Sequence, residues 1–135
     1  MFTYRLTLLL LIAFVLSAKA QQSQPDTTKV SPRIIFTVVQ EHPHFPGGID
    51  ELGKYLRKNT RYPEAARKKK KKGVVFVNFI VTDKGLIEDV QVLKGLTPEL
   101  DAEAVRVVQE MPTWVPGRQS GKAVNCRYNL PIHFD

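Results

Sequence analysis

Few residues in this chain are of types and spacings that could do covalent chemistry. Glu41, His42 and His44 stand together, and imidazoles suit zinc or copper. Two histidines in a loop with Pro43 and Pro46 nevertheless fall short of a metal site. Asp101 and Glu103 are two apart on a predicted helix and point in different directions. Glu88 and Asp89 are adjacent on a predicted strand and also diverge. All four read as surface acids rather than as an acid–base pair. Cys126 falls on the apolar face of a strand, with no histidine and third group marked beside it, so it reads as a small buried hydrophobe. No phosphate-cradling loop or nucleophile elbow is present. The expectation is a protein that is not an enzyme and uses neither cofactor nor metal.

Two features suit binding instead. Lys68, Lys69, Lys70, Lys71 and Lys72 form an unbroken cationic run. It reads as a solvated helix end or as a contact with an anionic envelope surface, where each lysine near anionic lipid adds about 1 kcal/mol. No aromatics are interleaved with it, and nucleic acid is a poor partner for an exported chain. The second feature is the last strand. Val124, Cys126, Tyr128, Leu130, Ile132 and Phe134 alternate with Asn125, Arg127, Asn129, Pro131 and His133, which predicts a half-buried strand with one wet face. Pro131 has no backbone donor, which places this strand at a sheet edge. An edge can receive a strand from a partner or from a second copy of the chain.

The elements that must position that edge follow in order. Ile34–Gln40 is β-branched and aromatic and predicts a strand. Ile49, Leu52 and Leu56 recur at helical spacing, with acids first and cations last. Pro63 starts a short second helix that runs into the lysines and stops at Gly73. Val74–Thr82 is a central strand, turned at Asp83-Lys84-Gly85 into Leu86–Leu93, whose alternation slips between Ile87 and Val90 as at a bulge. Thr97-Pro98-Glu99 starts a helix with Leu100, Ala104, Val107, Val108 and Met111 on its buried stripe, ended by Pro112. The fold class is α+β: an antiparallel three- to four-stranded sheet with helices packed on one face.

Ahead of this domain (34–135) lie two further segments. Arg5, the apolar run Leu6–Leu16 and Ser17-Ala18-Lys19-Ala20 predict a signal peptide over residues 1–20, cleaved after Ala20, and hence export to the periplasm. Residues 21–33 are a flexible polar lead-in. Cleavage removes Arg5 and Lys19 and no acid, so the formal charge of +7 becomes +5.

The ordered set Phe45-Pro46-Gly47-Gly48, Tyr62-Pro63, Gly73-Val74, Gly85, Leu100-Asp101, Glu103-Ala104, Met111-Pro112, Trp114-x-Pro116-Gly117, Gly121, Pro131 and Phe134 resembles the TonB C-terminal domain in its Bacteroidetes-type form. The resemblance covers Ile34 to Phe134. It implies a binding module that grips the TonB box of outer-membrane TonB-dependent transporters by adding a strand beside its own last strand. Carried onto this chain, it makes Ala123, Val124, Asn125, Cys126, Arg127, Tyr128, Asn129 and Leu130 the receiving edge, with Pro131 ending the usable ladder. Asn125 and Arg127 would bias which side chains fit, and Asn59, Arg61 and Tyr62 would lie near the bound receptor. The chain departs from the family in two places. It has no apolar run of spanning length and no Pro-rich spacer, which implies an adaptor or competitor that does not transduce energy by itself. It also carries lysines where the family has a glycine and an aliphatic residue, at about Lys70 and Lys71.

Overall fold

Residues 33–135 are described by the structure, a computed structural model. The expected signal peptide and residues 21–32 of the lead-in lie outside them. The centre of the domain is β1 (Gly73–Val81), in which Val75, Val77, Phe79 and Val81 are fully buried. Thr82 turns the chain through its hydroxyl, which accepts from the Lys84 and Leu86 amides at 3.2 and 3.0 Å. Gly85 is required in that turn. Its φ is +79°, and a Cβ there would stand 1.9 Å from the Trp114 carbonyl oxygen. The return strand β2 (Ile87–Lys94) pairs antiparallel with β1. Asn78 faces Gln91 and Ile80 faces Glu88, so Asp89 and Val90 oppose Phe79 alone and the expected bulge falls at Asp89–Val90, with Asp89 at φ 48°.

Three helices cover one face of the sheet. In α1 (Ile49–Asn59) Leu52 is buried and Tyr55 and Leu56 pack partly against the core. Ile49 does not join them: at the first helical position it is turned outward and 72% exposed. The short α2 (Glu64–Lys68) follows Pro63 and buries Ala66. It does not run to Gly73. Lys70 adopts φ 50° and donates to the Arg67 carbonyl, while Lys71 donates to that of Ala66, both at 3.0 Å. That pair of bonds is a Schellman turn with lysine at the left-handed position, and Gly73 becomes the first residue of β1. The third helix, α3 (Pro98–Gln109), is capped by the Thr97 hydroxyl, which accepts from the Leu100 amide at 3.2 Å. Leu100, Ala104, Val107 and Val108 form its buried stripe. It ends at Gln109, ahead of Pro112, because the residue before a proline is pushed out of the helical region.

Trp114 anchors the core, with Phe45, Phe79 and Tyr128 edge-on around it at ring separations of 5.0–6.0 Å. After it come β3 (Gly117–Gln119) and β4 (Lys122–Val124), a hairpin turned at Ser120-Gly121, both at positive φ. The last strand, β5 (Cys126–Phe134), pairs with β1 without interruption from Val81↔Cys126 to Gly73↔Phe134. The sheet order is β2-β1-β5, so β1 is central and β5 lies at an edge. Ile34–Gln40 is not a regular strand. Phe36 alone bridges to Cys126, and Glu41 and His44 make single bridges to Arg118 and Val115. Its β-branched composition keeps the backbone extended, but a ladder needs successive partners and this segment meets one residue at a time.

Candidate partner-binding edge

Along β5 the backbone polar groups alternate between β1 and the outside. Arg127 donates its amide outward to the Phe36 carbonyl at 3.0 Å, and the Asn125 carbonyl accepts from the Phe36 amide at 2.8 Å. The odd-numbered residues therefore face away from β1. The outward row beyond the Phe36 clamp consists of the amides of Asn129 and His133 and the carbonyls of Arg127, Asn129, Pro131 and His133. No backbone group of the described residues pairs with this row. Pro131 sits at an outward position opposite Phe76, where its missing donor leaves the β1 ladder intact. It does not end the strand, which stays paired with β1 through Phe134.

Most of the residues read from the sequence as the receiving edge, Ala123 to Leu130, lie outside this unpaired row. Ala123 and Val124 belong to β4 and are paired with Arg118 and Gly117 of β3. Asn125 and Arg127 are held by Phe36. Cys126, Tyr128 and Leu130 turn their backbone groups toward β1, and their side chains toward the core. Burial pushes the Cys126 thiol up, as suits a small core residue. Asn129 is the expected edge residue that keeps an outward donor.

The side chains expected to tune specificity are already engaged. Asn125 accepts from the Asp83 amide at 3.0 Å and from Arg33 at 3.2 Å. Arg127 donates to Asn78 at 2.6 Å and to Asp89 at 2.9 Å, and its hydrogen bond holds the Asp89 carboxyl below the usual range. Asn78 donates in turn to Asn129. These groups tie the wet face of the sheet together.

Asn59, Arg61 and Tyr62 do lie together, at the end of α1 and on its connector to α2. The sequence reading missed what holds them. Glu103 accepts the Arg61 amide at 2.6 Å and the Arg106 guanidinium at 2.6 and 2.8 Å. Arg106 donates also to the Asn59 carbonyl at 2.8 Å. Glu103 is therefore no surface acid: its side chain is 10% exposed. Arg106 holds its carboxyl below the usual carboxylate range. Tyr62 stands edge-on to Phe134 at 6.0 Å, which ties the connector to the end of β5. Lys68 to Lys72 are all exposed, with Lys68 3.3 Å from Glu64. Among the described residues no three His, Cys, Asp or Glu side chains are grouped to hold a metal, and no helix is long and apolar enough to cross a membrane.

The family model described as "Gram-negative bacterial TonB protein C-terminal" matches residues 58–135. The chain belongs to the TonB C-terminal domain family. That family is a protein-interaction module of the Gram-negative envelope rather than an enzyme. No curated protein matches the chain. Solved structures similar to it include the NMR structure of Helicobacter pylori TonB-CTD residues 194–285, at 21% identity and TM-score 0.48, covering 64% of this chain and 90% of that one. The Pseudomonas aeruginosa TonB CTD is similar at 25% identity and TM-score 0.41, covering 56% and 79%. Lys70 and Lys71, where the resemblance implied a glycine and an aliphatic residue, take the two positions of the Schellman turn that favour a left-handed residue and then an apolar one.

Proposed function

We propose that this TonB-family domain is a periplasmic protein-binding module that pairs by β-augmentation with TonB-box segments of outer-membrane transporters in TonB-dependent transport. The observation that carries the reading is the outward row of β5 from the Arg127 carbonyl to the His133 amide, unpaired among the described residues. The experiment is an NMR titration with TonB-box peptides from the host's transporters. Saturable shifts at the Asn129 and His133 amides are expected. Asn129→Pro should abolish the shift at the His133 amide while leaving β1–β5 pairing in place, because the amide it removes points outward. An absence of shifts at millimolar peptide overturns the reading. Shifts that grow with protein concentration and need no peptide assign the edge to a second copy of the chain.

A second reading draws on the lysine run. All five lysines are exposed on a tight turn, which suits an anionic lipid or polysaccharide of the envelope. It predicts binding to anionic vesicles that falls steeply with salt and ignores Asn129→Pro.

A further inference from the structure

We propose that the cleft between α1 and the end of β5 is the side-chain pocket for the incoming strand, and that it selects a segment with one bulky apolar residue beside an acidic one. This rests on the reading that β5 receives a strand. The cleft has a volume of about 550 Å³ and is lined by Gly53, Leu56 and Thr60 on one side, Ile132 and Phe134 on the other, with Tyr62 between them. Leu56, Tyr62, Ile132 and Phe134 all belong to the core on the helical face of the sheet. A strand added to β5 lays every second side chain on that same face, just beyond the sheet edge. The cleft is the space those side chains would enter.

Gly53 keeps it open. A glycine in a helix interior is unfavourable and calls for a local reason. A Cβ built on Gly53 meets only the mobile end of Arg57, at 3.3 Å, so the position is not closed by packing. The Thr60 hydroxyl in the same lining is buried without a partner. The surroundings are cationic. Arg57 lines the cleft, and an adjoining hollow is lined by Arg67, Lys70 and Lys72, against the acid Asp135. None of these cations forms an ion pair among the described residues. Charge complementarity therefore calls for an acidic flank on the partner.

The test uses nine-residue peptides of alternating threonine and valine. One valine is replaced in turn by alanine, leucine or phenylalanine, and a neighbouring threonine by aspartate or lysine. Binding to the purified protein is read by fluorescence anisotropy and by amide shifts. The leucine peptide is expected to bind about tenfold more tightly than the alanine peptide, and aspartate more tightly than lysine, the latter preference fading with salt. Gly53→Leu fills the cleft. It should leave the melting temperature unchanged or raised and erase the leucine preference, while shifts at Asn129 and His133 persist. In the unsubstituted protein, the Gly53 and Thr60 amides should shift with the leucine peptide and not with the alanine peptide, a readout independent of how the variant folds. Equal leucine preference in both proteins, or no shift at Gly53 and Thr60, overturns the pocket while leaving strand pairing at β5 intact. Failure of every peptide to shift Asn129 overturns both.

Discussion

Glu103 shows how one carboxylate decides the shape of a binding surface. It joins α3 to the α1–α2 connector by accepting from Arg61 and Arg106, and Arg106 extends the tie to the Asn59 carbonyl. Arg106 lowers the pKa of Glu103, with smaller help from the Arg61 amide. A carboxylate held low in the folded state stabilises it at any pH above the unfolded value near 4.5. That contribution is lost as pH falls from there through the lowered folded value. Glu103→Gln should therefore cost about 2 kcal/mol at pH 7 and lower the melting temperature by roughly 10 °C. The loss should shrink as pH falls below the unfolded value near 4.5, where the unfolded carboxylate takes up a proton that the native one resists. Thermal melts across that range check it, and a loss that is the same at pH 7 and pH 3 would refute the charge-based account. Asp101 and Glu103 point apart as their spacing predicts, Asp101 to the Leu96 amide and Glu103 to Arg61 and Arg106. The burial of Glu103 was not legible, because its partner Arg61 lies 42 residues away.

Elements with strong periodicity were legible and their ends were less so. β1, β2 with its bulge, α3 and β5 all follow from alternation, a capping threonine and helical spacing. The end of α2 did not follow, since five consecutive lysines carry no turn signal and the nearest glycine drew the stop to Gly73. Lys70 instead takes the left-handed conformation, which disfavours a side chain by about 1–2 kcal/mol. Lys70→Gly relieves that strain but enlarges the freedom of the unfolded chain, so a net gain of about 0.5–1 kcal/mol is expected. It should appear as a higher urea midpoint at unchanged slope. Lys69 is in the right-handed region at φ −83°, so Lys69→Gly should lose stability instead. The opposite signs at neighbouring lysines distinguish turn strain from a general effect of removing charge.

For the molecule as a whole, the α+β class and the edge position of β5 were both written in the local pattern, the latter in a single proline. Pro131 is tolerable only where its backbone nitrogen looks away from β1. Which part of that edge stays open was not written locally. Phe36 comes from the other end of the domain and occupies the edge at Asn125 and Arg127, leaving Asn129 to His133. The segment around it exposes Ile34 at 70% and Val38 at 79%, and is held by Val39 in the core and by Arg33 on Glu88 and Asn125. A partner strand longer than the open stretch must therefore stop at Phe36 or displace it. Phe36→Pro removes the donor to the Asn125 carbonyl and weakens the clamp while leaving Val39 in place. The Arg127 amide should then exchange with solvent faster, because its acceptor is the Phe36 carbonyl. A nine-residue peptide should gain affinity by several-fold through the longer ladder, and a five-residue peptide matched to Asn129–His133 should gain nothing. An equal gain for both lengths would mean that Phe36 acts on the edge indirectly rather than by occupying it. Unchanged exchange at Arg127 would mean that the clamp is held by more than its two hydrogen bonds.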